Sequence, residues 1–252
     1  MIDPLDQIFL RASWKNLVAL SYPADPTVLG PLVPSGLELD LFEGRAYVSL
    51  VGFLFLGTSA MGVRLPFCQR FEEVNLRFYV RRRGPEGIRH GVVFVKELVP
   101  RWVIAAGARW LFGEPYRTVP MRSRLELDDG GHPRPGGLLE YEWRSGGRWH
   151  RLSARAVLPL GPVEAGSRSE FLVERHWGYT PRRGGTLEYR VRRPGWRVCP
   201  ASHASLEADT RALFGPVFGP ILEGAPAAAI VADGSAVTVS HGDRLGSDQE
   251  FP

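Results

Sequence analysis

The chain has 252 residues, of which 44% are hydrophobic, and a formal net charge of +4. The hydrophobic share is sufficient for a folded core and excludes general disorder, and the length suits one large domain. The 29 glycines and 21 prolines favour many turns and short strands over long helices. The arginines are spread along the chain, so we interpret the excess of basic residues as a feature of the overall composition and not as a binding surface. Nucleic-acid binding through Arg81–Arg83 and Arg182–Arg183, which we place on solvated loop tips, is the alternative.

Several common sites and locations are not expected. Cys68 and Cys199 are too few for a disulfide framework, and the six histidines show no i,i+2 or i,i+4 pairing, so no metal is predicted. No phosphate-binding or dinucleotide-binding loop is present, so no cofactor is predicted. The first ten residues carry acids where a signal peptide has bases, which predicts a cytoplasmic protein. The uncharged segment Ala46–Val63 contains glycines and a strand-like alternation, which favours a strand over a membrane span.

The predicted elements are mostly strands. A helix or loop is expected over Gln7–Ser21, a helix over Val103–Phe112, and a short helix within Ser205–Leu213. Glu43-Gly44 and Asp233-Gly234 are predicted hairpin turns. The predicted strands are Leu37–Phe42, Arg45–Phe55, Phe71–Val80, Val92–Val99, Arg122–Leu127, Leu138–Arg144, Arg148–Leu158, Phe171–Tyr179, Thr186–Arg193, Ala228–Ala232 and Ala236–Ser240.

This order predicts a mainly β (α+β) fold, an antiparallel β-barrel or cone with a few peripheral helices. Residues 1–242 are expected to form a single domain. Residues 243–252 are polar and are expected to form a flexible tail.

The strand Phe71–Val80 has two distinct faces, because side chains alternate along a strand. One face is apolar and predicted to be buried, and the other faces either water or a ligand. Two aromatic rings beside a single acid and a single base suit the lining of a pocket. In a pocket, Arg77 would bind a carboxylate and Glu73 would transfer a proton if burial raised its pKa. The residues of this second face are Phe71, Glu73, Asn75, Arg77 and Tyr79.

The next strand, Val92–Val99, carries one lysine. Simple alternation places Lys96 on the same face as Val92 and Phe94, and Glu97 on the other. A lysine in apolar surroundings can lose its proton and become a nucleophile. The alternative is that Lys96 lies near the strand end and reaches solvent.

Five segments along the chain form a recognisable set. They are Tyr22-Pro-x-Asp25, Leu32-Val33-Pro34-x-Gly36-Leu37, Phe71-x-Glu73-Val74-Asn75-Leu76-Arg77-x-Tyr79-Val80, Gly113-x-Pro115-Tyr116 and Phe171-Leu172-x-Glu174-Arg175. Together they resemble the YqjF-like family of uncharacterised proteins, which belongs to the acetoacetate decarboxylase-like superfamily. The resemblance extends from about Phe9 to Ser240. It implies a barrel or cone around a small-molecule cavity, with Glu73 as the pocket acid and Glu72 as the alternative one register away.

The resemblance departs from acetoacetate decarboxylase at the reactive lysine. That enzyme carries its Schiff-base lysine in a Gly-x-Pro-Lys-Lys run, whereas this chain reads Gly113-Glu114-Pro115-Tyr116-Arg117. Arginine stays protonated in proteins, so Arg117 cannot form the imine. Classical acetoacetate decarboxylase activity is therefore not expected. Tyr116 is either a hydrogen-bond donor or general acid in the cavity, or part of its wall.

The sequence thus predicts a small-molecule-binding barrel that acts, if it is an enzyme, on a small organic acid or carbonyl compound. Glu73 and Tyr116 are the predicted catalytic residues, with Lys96 as a reserve nucleophile. Arg77, Asn75, Tyr79 and Phe71 are the predicted ligand-binding residues. The alternative is a non-catalytic ligand-binding or interaction protein with a vestigial cavity. No nucleic acid or membrane partner is expected, and the oligomeric state, a homo-oligomer included, is left open.

Overall fold

The computed structural model of the protein describes residues 3–157 and 159–245, and the side chains of all of these except residues 108–111. The described residues form many strands and few helices. The helices are α1 Pro26–Leu29, α2 Trp102–Leu111, α3 Arg168–Val173 and α4 Thr210–Leu222, with 3-10 turns at Pro4–Asp6 and Gly30–Leu32. The strands are β1 Ile8–Ala24, β2 Glu38–Leu39, β3 Ala46–Ala60, β4 Val63–Arg64, β5 Arg70–Gly84, β6 Gly87–Val99, β7 Tyr116–Thr118, β8 Met121–Leu125, β9 Leu138–Ser145, β10 Arg148–Ala156, β11 Gly161–Pro162, β12 Trp177–Arg182, β13 Gly185–Arg192, β14 Arg197–Glu207, β15 Ala228–Ser240 and β16 Asp243–Leu245.

Seven of these strands close into a cone-like ring. The order around the ring is β1, β3, β5, β6, β12, β13 and β15, and β15 pairs back with β1. All of these pairs are antiparallel except the parallel pair β6–β12. The predicted mainly β fold is confirmed, and the sheet is best described as cone-like.

A second layer covers one side of the ring. From β15 the sheet continues through β14, β10, β9 and β8, and α4 contacts β1. The main apolar core joins ring residues such as Leu50 and Leu76 to Trp143 of β9 and Phe214 of α4. A second cluster, which includes Phe53 and Phe71, lies on the opposite face of the same ring strands. Both faces of the ring strands are therefore buried, and the second cluster faces the interior of the cone.

Two predictions near the chain ends are wrong. Residues predicted as a helix or loop over Gln7–Ser21 form most of β1 instead. Register shifts between Arg11 and Ser13, and again between Lys15 and Val18, interrupt the alternation that would have revealed the strand. The predicted hairpin at Asp233-Gly234 is one continuous strand, β15. There Gly234 lies opposite Lys15, with a left-handed φ of 75°.

Two local assignments are also corrected by helix capping. Residues 171–173 of the predicted strand Phe171–Tyr179 form the end of α3 instead. This helix begins after Ser167, whose side chain accepts a hydrogen bond from the backbone N–H of Glu170. The helix predicted within Ser205–Leu213 begins later. β14 runs to Glu207, and Asp209 caps α4.

The remaining predicted elements need smaller adjustments. Helix α2 lies one residue before its predicted bounds, and Glu43-Gly44 does form a turn, closed by a bridge between Phe42 and Arg45. Arg82 is not on a solvated tip: it lies in β5, and its guanidinium pairs with Glu188 at 3.1 Å. Of the predicted tail, Asp243–Leu245 form β16, and residues 246–252 lie outside the described residues. Residue 158, the last of the predicted strand Arg148–Leu158, also lies outside them.

Candidate functional site

The cone encloses a cavity of about 260 Å³. Most of its wall is apolar and aromatic, with Trp14, Phe53, Phe55, Phe71 and Trp196 among the lining residues. Its polar residues come from neighbouring elements. They include Glu73, Asn75 and Arg77 of β5, Glu97 of β6, Glu114 and Tyr116 around the start of β7, Arg175 after α3, and Tyr189 of β13. Apolar walls with a few convergent polar groups are typical of a small-molecule site.

Glu73 is held from both of its carboxyl oxygens. The Asn75 amide donates to Oε1 at 3.0 Å, and the Tyr116 hydroxyl donates to Oε2 at 3.1 Å. Asn75 reaches Glu73 because residues two apart on a strand lie on the same face. Tyr116 reaches it from β7, which pairs with β6 next to β5. The carboxyl group therefore has a fixed orientation toward the cavity.

The environment of Glu73 brings the pKa of its carboxyl group to a near-neutral value. Burial raises the pKa of this carboxyl from 4.5 to about 7, although the hydrogen bonds from Asn75 and Tyr116 and the charge of Arg77 oppose the shift. Both protonation states are thus accessible near neutral pH. Such a group can either give or take a proton.

Two further glutamates share the cavity. Burial raises the pKa of Glu114 to about 8, and the Tyr189 hydroxyl donates a hydrogen bond to its Oε1. Burial, together with the charges of Glu114 and Glu73, raises the pKa of Glu97 well above its usual value. Like charges in one buried space cannot all ionise, so these three carboxyls share protons as a group. We call Glu73, Glu97 and Glu114 the carboxyl cluster.

The carboxyl cluster leaves hydrogen-bonding capacity unused. Within the described residues, Oε2 of Glu97 and Oδ1 of Asn75 have no hydrogen-bond partner, although both residues are only 2% exposed. Buried polar atoms are normally satisfied, so unpaired ones facing a cavity are free to contact a ligand. No group of three or more His, Cys, Asp and Glu side chains in the described ranges is arranged to hold a metal ion.

Comparison with known proteins assigns the chain to a family. Residues 11–235 match the family model DUF2071, described as an uncharacterized conserved protein. The chain belongs to the DUF2071 family. It is 32% identical over 120 residues to the uncharacterized protein YqjF of Bacillus subtilis (strain 168). That match covers 47% of this chain and 48% of YqjF, so it spans about half the length of that relative.

Solved structures show the same fold. Acetoacetate decarboxylase from Legionella pneumophila subsp. pneumophila str. Philadelphia 1 superposes with a TM-score of 0.65 over 97% of this chain and 90% of that chain, at 14% identity. The enduracididine biosynthesis enzyme MppR complexed with pyruvate gives a TM-score of 0.65 over 96% and 92% of the two chains, at 16% identity. At these identities the likeness concerns the fold.

In this DUF2071 chain the residues predicted on the second face of β5 lie in two places. Phe71 lines the cavity, stacked on Phe55 with ring centroids 4.7 Å apart, and Glu73, Asn75 and Arg77 line it as well. Tyr79, predicted to bind ligand, is buried outside the cavity lining. Its hydroxyl lies 2.6 Å from the Ser49 hydroxyl and donates to the Leu172 carbonyl at 3.3 Å, so it joins β5 to α3.

The register of β5 separates Glu73 from its neighbour. Glu72 accepts a hydrogen bond from the Ser123 hydroxyl of β8 at 2.9 Å, and it does not line the cavity. Glu73 is therefore the carboxyl of this pair that faces the cavity. Arg77 faces it too, and Nη2 of Arg77 donates to the Leu172 carbonyl at 3.5 Å, while its Nε has no partner among the described residues.

Lys96 does not reach the cavity, contrary to its predicted reserve role. The pairing of β5 with β6 shifts between Leu76 and Arg77, so that Lys96 lies opposite Leu76 and Phe94 lies opposite Arg77. Val95 is the additional residue of this bulge, and it reverses the alternation that simple counting assumes. Phe94 and Glu97 face the cavity, whereas the Lys96 ammonium donates to the Leu213 carbonyl and lies 5.5 Å from the Phe214 ring.

Sequence reasoning missed half of the polar site. Simple alternation places Glu97 on the strand face away from Lys96 and gives it no role in the site. The sequence also gives no role to Glu114, Tyr189 or Arg175, which line the cavity. Glu114 lies in the Gly-Glu-Pro-Tyr turn beside Tyr116, so that turn contained a usable signal. Arg175 ends the Phe171-Leu172-x-Glu174-Arg175 segment of the family resemblance, which therefore marked this residue without giving it a role. No sequence signal identifies Tyr189, because the folding of a distant segment brings it to the cavity.

Proposed function

We propose that the cavity binds a small carbonyl compound or organic acid and that Glu73 transfers a proton to or from it. The observation that carries this proposal is the buried Glu73 carboxyl, oriented by Asn75 and Tyr116, with a pKa near neutral. A general acid or base works best when its pKa lies near the working pH. The apolar wall around it keeps bulk water from competing for the proton.

The surrounding groups support a proton transfer next to a carbonyl. As a carboxylate, Glu73 takes the proton from the adjacent carbon, the C–H bond breaks, and its electron pair moves toward the carbonyl oxygen. The developing oxyanion needs a donor. A protonated carboxyl of Glu97 or Glu114 supplies that hydrogen bond, because both pKa values are raised. The protonated Glu73 carboxyl then exchanges its hydrogen with solvent and returns a hydrogen to the same carbon, so that in D₂O the carbon gains deuterium and no other reactant is consumed.

Arg77 is the proposed partner of a ligand carboxylate. Its guanidinium lines the same cavity, two strand positions beyond Asn75, with Nε unpaired among the described residues. Guanidinium groups bind carboxylates through paired hydrogen bonds. A keto acid could thus place its carboxylate toward Arg77 and its carbonyl toward the carboxyl cluster.

The fold neighbours agree with a small carbonyl ligand. One is named an acetoacetate decarboxylase, and the other is an enzyme complexed with pyruvate. The proposal contains no imine step, because Tyr116 and Arg117 occupy the Gly-Glu-Pro-Tyr-Arg run and Lys96 lies outside the cavity. The chemistry proposed for this chain is acid–base chemistry alone.

The experiment is hydrogen–deuterium exchange at the carbon beside the carbonyl, followed by proton NMR in D₂O with pyruvate and with neutral butanone. The wild-type protein is expected to accelerate loss of the proton signal. Glu73→Gln removes this acceleration, whereas Glu164→Gln, a change at an exposed glutamate, leaves it. Arg77→Gln is expected to weaken the effect on pyruvate more than the effect on butanone. Exchange that is unaffected by Glu73→Gln would show that Glu73 is not the base.

A non-catalytic binding protein is the second candidate, favoured by the unpaired cavity atoms of Glu97 and Asn75. A vestigial site would have a lumen filled by its own side chains, whereas the cavity of this protein has a volume of about 260 Å³. Saturable binding of the two probes without any exchange would favour this candidate over the enzyme.

A further inference from the structure

The cavity meets the surface between two segments. Met61 and Leu65, which follow β3, and Val103 and Ile104 of α2 line the cavity, and Met61 and Val103 are 66% and 45% exposed. The two segments lie close together, since Leu65 and Ile104 both pack against the second apolar cluster, which contains Cys68 and Ala105, and the charge of Arg101 acts on the Cys68 thiol. We call Met61, Leu65, Val103 and Ile104 the cavity mouth.

Exposed apolar side chains are concentrated around this mouth. Among the described residues, the four most exposed large hydrophobic side chains all belong to the two segments. They are Phe67 at 87%, Trp102 at 71%, Met61 at 66% and Val63 at 65%. We call these four residues the apolar rim. Single exposed apolar residues are normal, but three within seven residues of the chain, and a fourth next to Val103 of the cavity mouth, indicate an interaction surface.

The turn that presents Met61, Val63 and Phe67 of the rim is held by side-chain hydrogen bonds. The Gln69 amide donates to the carbonyls of Thr58 at 2.9 Å and Leu65 at 2.7 Å, and its oxygen accepts from Nε of Arg64 at 2.6 Å. Met61 and Phe67 both have left-handed backbone, with φ of 48° and 61°. This conformation is unfavourable for large side chains, and at Met61 it is the one that the two-residue turn joining β3 to β4 requires.

The charge around the rim has one sign. Residues 57–71 and 98–107 contain Arg64, Arg70 and Arg101 and no acidic residue, and all three arginines are exposed. Arg101 lies close enough to Cys68 for its charge to lower the pKa of that thiol against the effect of burial. Basic charge therefore accompanies both segments of the rim.

We propose that the apolar rim docks on an anionic membrane surface and places the cavity mouth at the bilayer. Aromatic side chains favour the membrane interface, and basic residues beside them are attracted to acidic lipid headgroups. The mostly apolar cavity behind the mouth would then receive a lipophilic molecule directly from the bilayer. The docking itself does not rest on the proton transfer proposed for Glu73.

A second copy of the chain is a poorer occupant. In a two-fold contact each copy presents the same surface, so the arginines of one rim would face a second rim whose segments contain basic residues and no acid to pair with them. The proposal departs from the sequence-based expectation of no membrane partner. Exposure of Phe67 and Trp102 is a property of the fold that the sequence did not reveal.

The test is co-sedimentation of the whole protein with vesicles. Vesicles of phosphatidylcholine alone are compared with vesicles that also contain phosphatidylserine, at low and high salt. The bound fraction is expected to rise with phosphatidylserine and to fall with salt. The double variants F67S/W102S and R64E/R101E are each expected to reduce the partition coefficient by about tenfold or more. The controls are Ile88→Ser, at a residue 50% exposed outside the rim, and Arg124→Glu on β8, and both should bind like wild type.

Three outcomes overturn the proposal. The first is that the protein does not bind either vesicle type, and the second is that the rim variants and the control variants bind equally well. The third is a dimer in sedimentation velocity that F67S abolishes, because this would assign the rim to contact with a second copy. Thermal unfolding followed by circular dichroism establishes whether each variant is folded. If F67S/W102S does not fold, the single variant F67S takes its place. Because the deuterium exchange assay uses soluble probes without vesicles, failure of docking and failure of the proposed function are read separately.

Discussion

The hydroxyl of Tyr116 donates a 3.1 Å hydrogen bond to Oε2 of Glu73, although the two residues are 43 positions apart in the chain. Both side chains are buried, at 8% and 2% exposure. The bond connects β7 to β5 across the intervening strand β6. A tyrosine from the Gly-Glu-Pro-Tyr turn therefore orients the cavity acid.

Tyr116→Phe is expected to raise the pKa of Glu73 above its value of about 7. The lost hydrogen bond stabilises the ionised carboxyl, so its removal favours the protonated form. A hydrogen bond worth about 1 kcal/mol corresponds to a shift of somewhat less than about one unit. The measurement is a pH titration of ¹³C-labelled glutamate side chains by NMR.

Tyr141→Phe is the matched control for this titration. It removes another buried tyrosine hydroxyl, which donates to the Asn16 carbonyl at 2.6 Å in the core between the two layers. This variant should leave the Glu73 pKa unchanged. A Glu73 pKa that stays constant or falls in Tyr116→Phe would contradict the assigned role of the hydroxyl.

The carboxyl cluster predicts a protein that loses stability as the pH rises. The folded chain holds protons on Glu73 to about pH 7 and on Glu114 to about pH 8, whereas each has a usual pKa of 4.5. Between these values the folded state binds more protons, so the free energy of unfolding decreases with pH. The stability is complete below about pH 4.5 and is lost as the pH passes through the folded-state values.

Urea unfolding at a series of pH values measures this loss. Glu73→Gln stays neutral in both states, so its unfolding free energy should depend less steeply on pH than that of wild type. The exposed Glu164→Gln variant provides the comparison and should retain the wild-type slope. Stability that increases between about pH 5 and 8 would exclude the protonated cluster.

The face of β5 that lines the cavity was accessible to sequence reasoning. Alternation over Phe71–Val80 separates Val74, Leu76, Phe78 and Val80, which lie in the core between the layers, from Phe71 and Glu73. The method worked because a regular strand has period two and the one register shift of β5 lies on its partner strand. A resemblance to a cavity-forming fold then favoured the pocket over solvent.

The neighbouring strand shows where this reasoning ends. One additional residue, Val95, exchanges the faces of Lys96 and Glu97 relative to Val92 and Phe94. A bulge is set by hydrogen bonding to the partner strand, so it leaves no mark in the alternation of a strand that is apolar on both faces. Glu97 was therefore missed as a cavity residue for the same reason that Lys96 was wrongly considered as one.

Lys96 is expected to form no adduct with a keto acid. Its ammonium donates to the Leu213 carbonyl and lies over Phe214, on the α4 side of the ring. Borohydride reduction with pyruvate, followed by mass spectrometry, should leave Lys96 unmodified. Lys96→Met should retain wild-type pyruvate binding, whereas Arg77→Gln should weaken it. A reduced adduct located on Lys96 would show that the lysine reaches the cavity.

Gly234→Ala is expected to destabilise the protein strongly. An added Cβ would lie 2.0 Å from the Trp14 carbonyl oxygen of the paired strand, and the backbone there has a φ of 75°. Because both strands are held in the ring, neither can move away, and we expect the free energy of unfolding to fall by at least about 3 kcal/mol. Gly44→Ala is the control, since Gly44 has the same φ with nothing within 4 Å of the added Cβ, and it should cost only about 1 kcal/mol. Equal losses in urea unfolding at the two positions would show that left-handed backbone alone, and not the close approach of β1 to β15, requires glycine at position 234.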